Sequence, residues 1–188
     1  LQDAERVRSE LDALRGLRTG HVEIATVSGV TTDLLPGVLE QLRERYPRVT
    51  VGVTSLGSQA IPESVTSGQA DIGLAFALPR TADLQQLGVG HFRLGAIVAP
   101  GHPLADRQDV SFATCAEFPL ILAKSDLSIH HLLAPLLART RPRHKAPLET
   151  SSVELALQMA KRGAGVAFQT RIGIEAELAS RTLVHIPL

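Results

Sequence analysis

Residues 20–53 constrain the fold more than any other stretch of this 188-residue chain. Val22, Ile24 and Thr26 occupy alternate positions, as in a buried strand, and the apolar residues of 35–46 then recur at helical spacing. Pro47 ends this helix, because the residue before a proline is disfavoured in the helical conformation. Valines alternate again from 49 to 53. A strand–helix–strand unit predicts parallel strands with a right-handed crossover, and a ligand site at their carboxyl edge.

Strand-like and helix-like segments continue to alternate along the rest of the chain, which predicts an α/β fold. The length and the order of these segments suggest two similar subdomains. Pro62 leaves two readings open for the second helix: either Ser58 caps a helix that the proline disturbs, or the helix begins at Pro62 and Ser58 stays in the loop. The second reading is slightly favoured. Gly68 and Gly163 are expected to end helices, and Ser152 is expected to cap one.

The composition excludes several classes of protein. Nineteen basic and nineteen acidic residues cancel, which argues against nucleic-acid binding by these residues alone. No apolar run is long enough to cross a membrane, and residues 1–18 are charged rather than signal-like. The single cysteine, Cys115, excludes an internal disulfide and fits the reducing cytoplasm. It is interpreted as a core residue rather than a redox sensor, because no second cysteine could resolve it.

Three segments place small hydroxyl residues just after a strand and just before a helix. Helix N-termini carry free amide donors and a partial positive charge, so such segments bind anions. The same residues also serve as ordinary N-caps, and the sequence leaves both readings open. The candidate ligand-binding residues in these segments are Ser28, Gly29 and Thr31, then Ser58 and Gln59, then Ser125 and Ser128.

Signatures of enzymes and of metal sites are absent from the sequence. Gly163 and Gly165 lie between a helix and a strand, the reverse of a dinucleotide-binding fingerprint. No phosphate-binding loop and no nucleophile elbow occurs. His130 and His131 are adjacent, so on a helix they point about 100° apart and cannot clasp one metal ion. We therefore expect neither catalysis nor a cofactor nor a metal ion.

Short motifs in a fixed order give the chain a family resemblance. It resembles the effector-binding domain of LysR-type transcriptional regulators, with the end of the linker helix that precedes it. The motifs that carry the resemblance are Gly20-x-Val22-x-Ile24, Leu34-Leu35-Pro36, Tyr46-Pro47-x-Val49, Ser67-Gly68-x-x-Asp71-Ile72, Ala99-Pro100-x-His102-Pro103, Glu149-Thr150-Ser151-Ser152-x-Glu154, Gly163-x-Gly165-Val166-Ala167 and Leu183-Val184-x-Ile186-Pro187-Leu188.

The resemblance implies a fold like that of periplasmic binding proteins, with two Rossmann-like subdomains joined by two crossover strands. Residues 1–19 would form the coiled-coil end of the linker helix, although their apolar spacing also fits a helix packed on its own domain. Residues 20–92 and 166–188 would form subdomain I, and residues 93–165 would form subdomain II. The crossovers would lie near 91–93 and near 166–168.

The resemblance also implies a function and its residues. A small organic effector would bind between the subdomains and change the conformation of a DNA-bound homodimer or homotetramer. Because helix-end amides and hydroxyls supply donors and the first two segments contain no arginine, we expect this effector to be an organic anion, a carboxylate. Ser58 matches a position where a hydroxyl often contacts the effector, and Phe168 and Gln169 follow the returning crossover. Gln169 could instead be a solvent-facing loop residue. The family commonly has Ser or Thr at Gly29, so either Ser28 or Thr31 would reach the ligand.

DNA binding would reside in a helix-turn-helix domain absent from this chain. The family arranges two effector-binding domains antiparallel, with the helix of residues 34–45 of one domain against the helix of residues 152–162 of the other. The leading alternative is a periplasmic-type solute-binding protein, which shares a two-lobed hinged fold. A small hydrolase or transferase is a more distant one, because no nucleophile–base motif is present.

Overall fold

The computed structural model describes residues 19–76, 83–140 and 148–188. The predicted linker helix of residues 1–19 lies almost wholly outside the described residues. The chain divides into two compact units, with the boundary between Gln85 and Gln86. Within the described residues, no helix combines the length and the hydropathy that a membrane span requires.

The first unit is a three-stranded parallel sheet with helices connecting its strands. Its strand order is β2–β1–β3, and each neighbouring pair runs parallel. Ala25 of β1 packs against Ile61 and Ala70 on one face of this sheet. The elements are β1 (Gly20–Thr26), α1 (Ser28–Arg45), β2 (Val49–Ser55), a 3-10 turn (Ser58–Ala60), α2 (Ile61–Thr66) and β3 (Ile72–Leu74).

Two local predictions for this unit can be compared with the structure. Residues 28–32, expected to form a turn, are the first turn of α1, because the chain enters the helix directly after an extended Val27. The second helix begins at Ile61, with Pro62 in its first turn, and Ser58 lies in the preceding 3-10 turn. The favoured reading of Pro62 is therefore correct to within one residue.

The second unit is a mixed sheet with helices on both faces. Its elements are β4 (Gly95–Val98), α3 (Phe112–Cys115), β5 (Ile121–Ala123), α4 (Ser128–Arg139), β6 (Leu148–Thr150), α5 (Val153–Lys161), β7 (Ala167–Gln169), α6 (Glu175–Ala179) and β8 (Val184–Pro187). β4 lies between β7 and β8 and is antiparallel to both, whereas β5 and β6 are parallel. A parallel bridge between Leu120 and Val166 links the two sets of strands.

Alternate residues of β4 supply two separate cores in this unit. Ala96 and Val98 belong to a cluster that includes Phe112 and Leu133, and Ile97 belongs to a second cluster that includes Leu157. Successive strand residues point to opposite faces, so one short strand serves both layers of helices. Helices on both faces fix the strand ends, where the candidate residues lie.

The position of residues 166–188 differs from the sequence prediction. They were assigned to subdomain I, but β7 and β8 both pair with β4, and these residues fall in the second unit with 86–165. The C-terminal backbone adds to this pairing, since Leu188 N donates to Leu94 O at 3.0 Å. The family pattern gave the order of the motifs, whereas the hydrogen-bonding register decides which sheet a strand joins.

Candidate ligand-binding site

The candidate residues of the first unit lie at the carboxyl edge of its parallel strands. Ser28 and Gly29 open α1 directly after β1, and Ser58 follows β2. The first amide groups of a helix have no acceptor within the helix, so α1 presents free donors at this edge. Both hydroxyl segments of this unit therefore meet where open α/β sheets bind ligands.

Ordinary N-capping does not explain the hydroxyl residues in these segments. The N-cap positions are Val27 for α1, Gly57 for the 3-10 turn and Leu127 for α4, and none makes a side-chain capping bond. True serine caps occur elsewhere: Ser111 accepts from Thr114 N and Ser152 accepts from Leu155 N, each at 3.1 Å. The capping reading of the three segments is therefore wrong, because no side chain of these segments serves as an N-cap.

The hydroxyl groups of the first segment differ in whether they already have a hydrogen-bond partner. The Thr31 hydroxyl donates back to the carbonyl of Ser28, and so does that of Thr32 at 3.3 Å. These bonds commit both threonine protons to the helix backbone. No hydrogen bond is found for the Ser28 hydroxyl within the described residues, and Gly29 is buried. Of the two alternatives for this segment, Ser28 is thus the one with a free donor.

Ser58 carries the most informative side chain of the first unit. It is only 2% exposed, and its hydroxyl has no hydrogen-bond partner. The hydroxyl of Thr26, at the end of β1, is also buried without a partner. An unpaired buried hydroxyl costs about 1–3 kcal/mol in proteins, so these two hydroxyls are candidate polar contacts at this edge of the sheet. Gln59, next to Ser58, is exposed.

Thr26 was not among the candidates predicted from the sequence. It is the last residue of the buried stretch of β1, and the pattern of Val22, Ile24 and Thr26 indicated only a core-facing position. The one available signal was its chemistry, because a hydroxyl at the end of an apolar strand requires a partner.

In the second unit, β5 and β6 present the third hydroxyl segment. Ser125 is exposed, whereas Ser128 is buried at the first position of α4. Lys124 N donates to Thr150 O at 3.1 Å, which ties this segment to the end of β6. A void of about 20 Å³ lies beside the start of α5, which is room for about one water molecule.

The residues that end β7 are buried. Phe168 packs in the core with its ring centroid 5.4 Å from that of Phe112. It lines the void of about 20 Å³ and offers no polar group. Gln169 is 5% exposed, and its Oε1 accepts from Thr170 N at 3.0 Å. The reading of Gln169 as a solvent-facing loop residue is therefore wrong.

Two further buried groups near Gln169 lack partners, and the sequence reasoning missed both. They are the Thr170 hydroxyl and Nε2 of His185. Burial lowers the pKa of His185, the positive charge of Arg171 lowers it further, and backbone hydrogen bonds oppose both effects. The ring lies over Gly95, where an added Cβ would be 2.4 Å from Nε2. Only the pairing of β4 with β8 reveals this contact.

Cys115 and the described histidines are possible redox or metal-binding groups by residue type. Cys115 is fully buried, and burial raises the pKa of its thiol to about 12, as expected of a core residue. Among the described residues, no three or more His, Cys, Asp or Glu side chains lie together in a way that could hold a metal ion.

Comparison with known proteins places this arrangement in a family. A family model described as the LysR substrate binding domain matches residues 15–188. The regulator SsuR of Burkholderia cenocepacia is 28% identical over 129 residues, which cover 68% of this chain and 42% of that protein. The curated relatives that match are transcriptional regulators rather than enzymes. The chain spans about half the length of these relatives.

Solved structures show the same fold at lower sequence identity. The effector-binding domain of QuiR in complex with shikimate superposes with a TM-score of 0.75 at 14% identity, covering 90% of this chain and 81% of that one. The regulatory domain of Synechocystis CcmR in complex with 2-PG gives a TM-score of 0.77 at 19% identity, covering 89% and 80%. The predicted α/β fold of periplasmic-binding-protein type is confirmed by these neighbours. The chain belongs to the LysR substrate-binding domain family, as the effector-binding domain of a LysR-type regulator.

Proposed function

We propose that this domain senses a small organic carboxylate and thereby controls a LysR-type transcription factor. The proposed contacts in the first unit are the hydroxyl groups of Ser28 and Ser58, the helix-initial amide of Gly29 and the side chain of Gln59, whereas Thr31 keeps its hydroxyl bond to the helix backbone. Those proposed in the second unit are the hydroxyl groups of Ser125 and Ser128, with Gln169 and the apolar Phe168 at the end of β7. The proposal agrees with the finding that none of the three hydroxyl segments uses a side chain as an N-cap. The complexes of QuiR with shikimate and of CcmR with 2-PG support small-molecule sensing by this fold.

The charge of the segments favours a carboxylate over a more highly charged group. Residues 28–32 and 57–59 contain no lysine or arginine, and Lys124 is the cation beside the third segment. Amide and hydroxyl donors at helix N-termini stabilise one or two negative charges without a buried cation, whose desolvation would be costly. A multiply charged phosphate would need more positive charge than these segments supply.

The unpartnered hydroxyl of Ser58 is the single observation that carries the proposal. The oxygen is enclosed, so contact with a ligand requires a change of side-chain rotamer or a small opening of the 3-10 turn. Serine has three accessible rotamers and no bulky branch, which makes such a change small. The ligand then supplies the hydrogen bond that the unliganded site lacks.

Calorimetry tests the proposal with a panel of organic acids on the wild-type domain and on Ser58→Ala. Loss of one hydrogen bond to a charged group is worth about 1.5–3 kcal/mol, so the affinity should fall by about ten- to a hundredfold. Ser111→Ala is the matched control, because that hydroxyl is already bonded to Thr114. Unchanged affinity in Ser58→Ala, or a preference for a cationic or wholly apolar ligand, contradicts the proposal.

We also propose that the protein acts as a homodimer or homotetramer in the cytoplasm. Large apolar side chains are exposed on both helices of the predicted pairing: Leu34 and Val38 of α1 at 49% and 51%, and Leu155 of α5 at 45%. These side chains are about half exposed, so burial of the exposed part against a second copy would be favourable by about 1 kcal/mol each. Sedimentation should show an oligomer at tens of micromolar and a shift toward monomer in Leu34→Glu. A monomer in the wild type rules out this pairing.

Binding to DNA is proposed for the whole protein and not for these residues, which carry a formal charge of zero. A basic face is needed for phosphate contacts. The domain by itself should therefore give no sequence-specific gel shift at physiological salt, and such a shift would contradict the proposal.

A further inference from the structure

A cavity of about 290 Å³ lies wholly within the second unit, between β5, β6 and α4. It lies on one face of the strands, because Leu122 pairs with Glu149 across the parallel ladder and Lys124 is two residues beyond Leu122. The opposite wall is one stripe of α4, formed by His130, Leu133 and Leu137. Its volume is at the lower end for small-molecule sites, so a ligand of few atoms fits.

Two opposite charges line this cavity without pairing with each other. Lys124 and Glu149 both border it, yet no ion pair between them occurs within the described residues. Both side chains are exposed, so each remains available to a charge on a ligand. A cation and an anion held apart at one cavity match a ligand that carries both charges itself.

His130 adds a directed polar group to the same wall. Its Nδ1 lies 2.9 Å from the carbonyl oxygen of Ala123, which can only accept, so Nδ1 is the donor. In this tautomer Nε2 is the acceptor of the ring. An ammonium group has three donors, and it could be shared between His130 Nε2 and the Glu149 carboxylate. The remaining surface, Leu122, Leu133 and Leu137, is apolar and suits a short aliphatic side chain.

We propose that this cavity is a second ligand site, which binds an α-amino acid with a small aliphatic side chain. Lys124 binds the carboxylate, Glu149 and His130 bind the ammonium group, and the three leucines contact the side chain. The cavity follows α4 from His130 to Leu137, away from the helix N-terminus at Ser128, and of the proposed effector contacts only Ser125 borders it. The site does not depend on the effector-sensing proposal.

The test uses L-leucine and two analogues that each lack one charge: 4-methylpentanoate without the ammonium group, and isopentylamine without the carboxylate. Calorimetry on the wild-type domain should show leucine binding at least about tenfold more tightly than either analogue, because each lost contact involves charged groups. Equal binding of leucine and 4-methylpentanoate overturns the role of Glu149, and no leucine binding at millimolar concentration overturns the site.

Surface substitutions then locate the ligand. Glu149→Gln and Lys124→Gln should each weaken leucine binding by about two- to fivefold, the range for solvent-exposed charge pairs, whereas Lys161→Gln, on the exposed side of α5, should not change it. In nitrogen-15 spectra the ring of His130 should shift on leucine addition, and that of His21, in the first unit, should not. Leucine binding that survives both Glu149→Gln and Lys124→Gln shows that it binds elsewhere and refutes the proposal.

Failure of this site and failure of effector sensing give different results. Ser58→Ala should leave leucine binding unchanged, because Ser58 is in the first unit. Glu149→Gln should leave the organic acid of the effector panel bound as in the wild type. If Ser58→Ala weakens leucine binding as well, leucine occupies the effector site and the second-site proposal is wrong.

Discussion

Substitution of Ser58 by alanine should leave the fold as stable as before or make it more stable, although serine is buried there. Its side chain is 2% exposed and its hydroxyl has no partner. An unpaired buried hydroxyl costs about 1–3 kcal/mol. Removal of the hydroxyl relieves that penalty and leaves a hole too small to offset it. The free energy of unfolding should therefore stay the same or rise by up to about 2 kcal/mol.

Urea denaturation followed by circular dichroism measures this change. In a thermal melt of a chain of this size, a change of about 1 kcal/mol in stability corresponds to a shift of about 2–4 °C in the melting temperature. Hydrogen exchange at the Ala60 amide, bonded to Gly57 O at 3.0 Å, gives a local readout in the same turn. Ser111→Ala is the comparison, because loss of that N-cap should cost about 0.5–2 kcal/mol.

The combination of unchanged stability and weakened ligand affinity distinguishes a binding group from a structural one. Removal of a hydroxyl that has a structural role would lower both the stability and the ligand affinity. If Ser58→Ala lowers the free energy of unfolding by more than about 1 kcal/mol, the hydroxyl has a partner in the folded state. Ser58 would then be a structural residue rather than a ligand contact, and the expected sign of the change in stability would be wrong.

Three further predictions concern residues outside the ligand contacts. Cys115, with a thiol pKa of about 12, should resist thiol reagents at pH 8 until the protein is unfolded by urea, and fast labelling of the native protein would contradict its burial. Gly165→Ala should destabilise the fold by more than about 2 kcal/mol in denaturant unfolding, because the new Cβ would lie 2.3 Å from Pro119 O; a loss below about 0.5 kcal/mol would show that the backbone moves easily. Burial lowers the pKa of His185 and of His102, so the unfolded chain binds more protons and stability should fall as pH drops through about 6.5; His185→Gln should flatten this dependence, and an unchanged slope would count against it.

Local patterns in the sequence predicted the elements that depend on near neighbours. The strand–helix–strand unit of residues 20–53 appears as β1, α1 and β2 in parallel register. Gly68 and Gly163 follow helices with φ values of 73° and 76°, which glycine adopts without strain. Ser152 caps α5 as expected, accepting from Leu155 N. The periodicities and helix ends behind these features involve residues at most a few positions apart, so their physical causes are visible in sequence, and the parallel pairing follows from the crossover rule.

The family and the kind of function also followed from sequence, because ordered motifs extend over nearly the whole chain. For the ligand contacts, the sequence indicated only that they lie in hydroxyl-containing segments at helix N-termini. Capping and ligand binding require the same residue types, so sequence left the choice open. The structure excluded side-chain capping by placing Val27, Gly57 and Leu127 at the cap positions, and ligand contact by these segments stays a prediction.

Only the tertiary structure decided which distant residues meet. The pairing of β8 with β4 placed residues 166–188 in the second unit and brought His185 over Gly95, about 90 residues apart in sequence. The burial of Thr26 and Ser58 without partners, and the cavity between Glu149 and Lys124, likewise depend on how strands and helices pack. Periodicity records which face of an element is apolar. Partners across a sheet are set by register, and register is fixed only when the whole core is assembled.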